Sequence, residues 1–178
     1  MNTNKQGFTL IELLICMAII SILMTIATVS YNGIRSYWAV EETRTALYTG
    51  FFTAKNQAFI SGKSTVICPS SDGINCLTAP IWQHGWIIFL DNNKNREMDT
   101  GESTIFKQSA LSDGIILKSN QGRPRLVFQA NGSNGGTNAT FTLCSNSDPN
   151  KAKNIIISNT ARIRTAPINV VLAEQVCI

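Results

Sequence analysis

The sequence predicts an α+β protein, in which one long N-terminal helix leads into, and packs on, a C-terminal antiparallel β-sheet domain. Three observations predict it. An apolar run of 22 residues, Phe8 to Val29, carries a single charge, Glu12. From Tyr31 to Ile60 there is no proline, and Leu47, Phe51, Ala54 and Ala58 recur at helical spacing. Beyond Gly62 the pattern changes to short runs rich in Val, Ile, Phe and Thr, punctuated by Gly, Asn, Asp and Ser.

Residues 1–7 form a short polar leader with Lys5. The apolar run over residues 8–29 is long enough to cross a bilayer as a helix. A secretory signal has a shorter apolar core that precedes a small-residue cleavage site. Here the cleavage-like junction, Gly7/Phe8, precedes the run, so cutting there leaves the helix on the mature chain. A carboxylate in a membrane segment is expensive and functional by default, which singles out Glu12. The plainer reading is a lone Glu at one end of a signal anchor, reaching the headgroups. Cys16 and Met17 read as lipid- or helix-facing filler.

Residues 30–60 continue the helix with an amphipathic half, with Glu41, Glu42, Arg44 and Lys55 off the apolar stripe. A helix from Phe8 to Ile60 is about 80 Å long at ~1.5 Å per residue. Gly33 and Gly50 weaken it without ending it. Ser61-Gly62-Lys63 ends it, with Gly62 a natural C-terminal residue.

Residues 61–178 form one β-rich domain. Strands are expected at Ser64–Cys68, Gly85–Leu90, Ser103–Lys107, Gly114–Lys118, Arg125–Gln129, Ala139–Cys144, Asn154–Ser158 and Ala161–Thr165. Asn131–Asn138 is a loop of Gly, Asn, Ser and Thr.

Hydrophobic residues make up 44% of the chain, enough for a packed core as well as the apolar run. The net charge of +4 is unevenly spread. Gly114–Val170 holds seven bases and one acid, Asp148, a net +6, so the rest of the chain carries −2. This asymmetry points the C-terminal half at an anionic partner, against the plainer reading of a solvated basic face.

Four cysteines, Cys68, Cys76, Cys144 and Cys177, lie beyond the apolar run. A domain anchored outside the cytoplasm sits in an oxidising compartment, and four cysteines allow three pairings. Cys68 with Cys76, closing a tight Ser/Gly/Asn loop, and Cys144 with Cys177, pinning the C-terminus to the sheet, are favoured. Their spacings match no zinc pattern, and His84 is the one histidine, so no metal or cofactor is expected.

Two constellations invite chemistry. Asp91–Glu102 places oxygen-bearing side chains at positions 1, 3, 5, 7, 9 and 12 of a calcium loop. Position 6 wants Gly but is Arg96, and a strand rather than a helix follows, so the stretch reads as a polar hairpin loop. The second constellation is two Arg-x-Arg pairs, Arg123/Arg125 and Arg162/Arg164. Residues i and i+2 of a strand share a face. Each pair can therefore present two guanidinium groups to phosphate, a contact that gives sequence-independent DNA affinity. Lys151 and Lys153 are positioned in sequence to extend the second pair. Trp82, Trp86 and Phe89 read as core, and His84 as a packed or surface histidine. No phosphate-cradling loop, Ser/His/Asp set or paired catalytic carboxylates stand out, so no enzyme is expected.

Gly7-Phe8-Thr9-Leu10-Ile11-Glu12 resembles the signal of type IV pilins and pseudopilins. That resemblance implies cleavage after Gly7 by a prepilin peptidase and methylation of Phe8. It also implies a role for Glu12 in assembly, where it faces the N-terminal amine of a neighbouring subunit. Val66-Ile67-Cys68-Pro69, Gly85–Asp91, Phe141–Cys144 and Ile155–Ser158 resemble the GspH/FimT group of minor pilins and pseudopilins. FimT-like pilins bind DNA in natural transformation through Gly-Arg-x-Arg near the C-terminus. By position the match is Ala161-Arg162-Ile163-Arg164, with Ala in place of Gly. Gly122-Arg123-Pro124-Arg125 fits the motif literally but precedes a different strand.

The resemblance implies a minor type IV pilin held in the bacterial inner membrane, with its β domain in the periplasm, and then built into a pilus at the cell surface. The implied partners are other pilins or pseudopilins, the peptidase, the membrane and double-stranded DNA. A type II secretion pseudopilin, or a structural priming pilin with no DNA role, are the alternatives.

Overall fold

Helix α1 runs Leu10–Ser61. Thr9 opens it: its Oγ1 accepts the Glu12 N–H at 3.4 Å and its carbonyl accepts the Leu13 N–H at 3.2 Å. Thr-x-x-Glu is a helix-start signature, and Glu12 sits in the first turn, where a negative charge complements the helix dipole. The structure, a computed structural model, describes residues 9–135, 138–146, 148–168, 173, 176 and 177, leaving aside the side chains of 26–32 and 148–150. Gly7 and Phe8 lie outside the described residues.

The chain divides into two units, Met1–Tyr37 and Trp38–Ile178. In the first, the described apolar side chains, from Leu10 to Met24, are exposed. In the second, α1 buries Val40, Leu47, Phe51, Ala54 and Ala58. These are the apolar stripe read from the sequence, extended about two turns toward the N-terminus by Val40. Gly62, at φ +67°, ends the helix.

Eight strands follow among the described residues. β1 (Ser64–Pro69), β2 (Trp86–Asp91), β3 (Thr104–Gln108) and β5 (Leu126–Phe128) form one antiparallel sheet in the order β3-β2-β1-β5. β4 (Ile115–Ser119), β6 (Ala139–Ser145), β7 (Asp148–Ile157) and β8 (Ile163–Pro167) form a second, in the order β4-β6-β7-β8. Each strand matches one expected from the sequence. β7 begins six residues earlier than expected, since Asp148–Lys153 lacks the apolar alternation that marks a strand, and pairing with β6 draws it in.

Phe51 of α1 joins the two sheets. Its ring centroid lies 6.4 Å from that of Phe128 in the first sheet and 5.2 Å from that of Phe141 in the second. Trp82 meets Phe141 edge-on at 4.9 Å and donates its indole N–H to Ser119 Oγ at 3.0 Å. Gly50 lets the helix approach Trp86, because a Cβ there would stand 3.1 Å from Trp86 Nε1. Trp82, Trp86 and Phe89 are fully buried, and His84 is exposed.

Cys68 is bonded to Cys76 and Cys144 to Cys177, with Cα–Cα separations of 5.5 and 6.0 Å. Around the second bridge Ala152, Ala173, Cys144 and Cys177 form a small buried cluster. Lys118 donates to the Val176 carbonyl at 3.0 Å. The C-terminus is thereby tied to β4 and β6.

Candidate nucleic-acid interface

β7 and β8 form a hairpin whose turn decides where two arginines stand. Ala161 N–H donates to the Ser158 carbonyl at 2.8 Å, and Ser158 N–H to the Arg162 carbonyl at 3.0 Å. Ser158 Oγ accepts the Arg162 N–H at 3.1 Å. Ala161 closes the turn at φ +57°, the left-handed position of a three-residue hairpin loop that glycine usually fills. The backbone angle expected of the family's Gly is thus taken by Ala itself.

The register fixes the faces. Ile157 lies opposite Ile163, and both pack into the core. Ile156 lies opposite Arg164, so Arg164 and Arg162 share the outward face. Both arginines are exposed, and neither guanidinium has a hydrogen-bond or ion-pair partner among the described residues. With Asn138, Ile156, Ser158 and Thr160 they line an open groove without a carboxylate among its described lining. Two exposed, unpaired guanidinium groups beside hydroxyl and amide groups suit phosphate oxygens.

The other basic residues do not join them. Lys153 lies opposite buried Leu143 and so points to the core side of the sheet, where it pairs with Glu41 of α1. That hydrogen bond, with the one from Arg44 at 2.7 Å, holds the Glu41 carboxyl below its ordinary pKa against the opposing effect of burial. Arg125 belongs to the first sheet's side of the molecule. It pairs with Glu97 and donates to the Arg96 carbonyl at 3.0 Å. Lys151 is exposed and engaged in an interaction of its own. Arg123 is half-buried in the β4–β5 connection, where its N–H donates to the Asn120 carbonyl at 3.2 Å.

Lys153 and Arg125, expected as phosphate helpers, are thus engaged in ion pairs with Glu41 and Glu97. Their acids come from the acidic half of the sequence, far along the chain but adjacent in space. For Lys153 the signal was present: it alternates with Ile155 and Ile157, the buried face.

Comparison with known proteins shows the family of the chain. The family described as type II transport protein GspH matches residues 44–161, and the prokaryotic N-terminal methylation motif matches residues 2–28. The chain belongs to the GspH/FimT-like family of minor pilins and pseudopilins. A fimbrial protein of Moraxella nonliquefaciens is 32% identical over 141 residues, 72% of this chain and 86% of that protein. Two solved structures of the minor pilin FimU of Pseudomonas aeruginosa share the fold. One covers 81% of this chain and 96% of FimU at 20% identity, TM-score 0.57. The other covers 74% and 92% at 21% identity, TM-score 0.52. The minor pseudopilin EpsH of the Vibrio cholerae type II secretion system shares it as well, over 72% and 96% at 13% identity, TM-score 0.51.

Members of this family assemble with other pilins into filaments and are structural proteins rather than enzymes. Among the described residues no helix is long and apolar enough to cross a membrane. The described side chains of the apolar run stop at Thr25, short of the ~20 residues a span takes.

Proposed function

We propose that this chain is a FimT-like minor type IV pilin that grips double-stranded DNA through Arg162 and Arg164. In this reading a prepilin peptidase cuts after Gly7 and Phe8 becomes the first mature residue. Phe8–Val29 anchors the subunit in the bacterial inner membrane with the β domain in the periplasm. Glu12 pairs with a neighbouring subunit's amine as the filament forms. The subunit then works mechanically, holding DNA that pilus retraction draws inward.

One observation carries the DNA reading: two unpaired guanidinium groups share the outward face beside the β7–β8 turn, in a groove without a described carboxylate. Phosphate contacts of this kind give affinity that falls with salt. The test is a salt titration of double-stranded DNA binding by the full-length protein in detergent, with Arg162→Gln/Arg164→Gln alongside. Binding at low salt is expected to fall at least tenfold in the double variant, and its log–log salt slope to shrink by about 2, at roughly 0.9 per lost phosphate contact. No binding by the folded protein at low salt, or equal binding by the variant, would leave a structural pilin without a DNA role.

The second reading is a type II secretion pseudopilin, favoured by the GspH match over residues 44–161 and the EpsH-like fold. Deleting the chain from its host separates the two. Loss of surface pili supports the pilin, and loss of secreted protein with pili intact supports the pseudopilin.

A further inference from the structure

The loop between β2 and β3 ends the first strand on Asp91, which is 1% exposed. A buried carboxylate needs partners for both oxygens. Asp91 Oδ2 accepts the Arg96 N–H at 3.1 Å, which holds the carboxylate in the loop. Asp91 Oδ1 is buried with no hydrogen-bond partner. Along the loop, further side-chain oxygens fall at alternate sequence positions. Asn93 Oδ1 accepts the Asn95 N–H at 3.1 Å, and Asn95 Oδ1 accepts the Glu97 N–H at 2.8 Å. Each amide oxygen keeps a second lone pair. Asp99 Oδ2 accepts from Asn93 and Asn95 side-chain amides at 2.8 and 2.6 Å. Glu102 closes the loop onto the N–H groups of Asn92 and Asp99 at 2.8 and 3.3 Å.

We infer that Asp91–Glu102 is a calcium-binding loop, with Asp91 Oδ1 as the buried oxygen that the ion satisfies. Calcium takes six to eight oxygens from carboxylates, amides and backbone carbonyls in a twelve-residue loop of this spacing. Asp91, Asn93, Asn95 and Asp99 supply side chains, and Glu102 turns from backbone N–H groups to the ion. Position 7 of such a loop contributes its backbone carbonyl. The Glu97 carboxylate is thereby left to Arg125, the pairing observed.

The sequence argued against this site because position 6 is Arg96. The structure removes that objection: Arg96 adopts φ +67°, and Lys94 φ +63°, left-handed angles that glycine takes most easily. Among the described residues no three carboxylate, thiolate or imidazole groups converge on one point. In the inferred site Glu102 joins Asp91 and Asp99 only on turning from the backbone N–H groups to the ion, and amide and backbone oxygens complete the shell.

The test is calorimetric titration of calcium chloride into the chelator-treated full-length protein in detergent, with magnesium chloride for comparison. One calcium per chain is expected, with a Kd of about 10⁻⁴–10⁻³ M, in the range of extracellular modules, and magnesium at least tenfold weaker. Glu102→Gln, which keeps an acceptor for the backbone N–H groups, is expected to weaken calcium at least tenfold. Arg96→Gly removes a positive charge and relaxes position 6, so it is expected to tighten calcium several-fold, a gain that misfolding cannot imitate. No saturable binding by the folded protein at about ten times that Kd range would overturn the inference. So would an unchanged Kd in Glu102→Gln, or a weaker one in Arg96→Gly.

Discussion

At Ala161 the backbone turns through φ +57°, where a Cβ crowds the neighbouring carbonyl at a cost of roughly 1–2 kcal/mol. The turn holds because its hydrogen bonds and the buried Ala161 methyl fix it from both sides. Ala161→Gly removes the crowding and gives up one small methyl contact. It is expected to stabilise the protein by about 0.5–1 kcal/mol in urea denaturation, with DNA affinity unchanged. A loss of stability would show that the methyl packing outweighs the strain. That Ala161 stands where the family has Gly was legible in the sequence, but the angle it takes was not, since nothing in the letters distinguishes a strained alanine from a relaxed one. The committed states of Lys153 and Arg125 depend likewise on Glu41 and Glu97, whose proximity only the fold supplies.

Over the sheets, α1 is joined to both by one aromatic residue. Phe51 is 1% exposed and contacts aromatic rings from both sheets. Phe51→Ala is expected to cost about 3–5 kcal/mol, read as a shift in the urea midpoint, because both sheets lose a partner and neither can close the gap alone. Phe52→Ala makes the comparison: its neighbour is 63% exposed and should shift little. The helix stripe and all eight strands were legible, since apolar spacing and turn residues are local signals. Their sorting into two sheets was not. β5 joins β1 and β4 joins β6 through contacts between distant segments, which no window of sequence contains. The Thr9–Glu12 start of α1 was not read from the sequence, and it gives Glu12 a local role beside the one that the resemblance implies.

Taken as a whole, the molecule sets an acidic half against a basic one and uses the contrast inside the fold. Lys153 and Arg44 together hold the Glu41 carboxyl below its ordinary value of 4.5. Asp72 lies well below the carboxylate range, chiefly through the N–H groups of Asn75 and Ile74. In both cases the unfolded chain takes up the proton at higher pH than the folded one. Their stabilisation is therefore complete above the ordinary carboxylate pKa and is lost as pH falls through the depressed values. Tm is expected to drop as pH is lowered from about 5 to 3, and Glu41→Gln to flatten part of that drop. A profile independent of pH across that window would show that neither carboxylate is held as described. The Cys144–Cys177 bridge closes a sequence separation of 33 and contributes about 3–4 kcal/mol on loop entropy. Finally, β8 is the last strand of its sheet, so one side of its backbone faces outward without a neighbouring strand among the described residues. An unguarded border of that kind invites a strand from another molecule, and charged side chains and proline discourage it. Arg162, Arg164 and Pro167 stand along this border. On the proposed reading, the cations offered to a phosphate backbone would also repel the matching border of a second copy, guarding this edge against strand pairing between subunits.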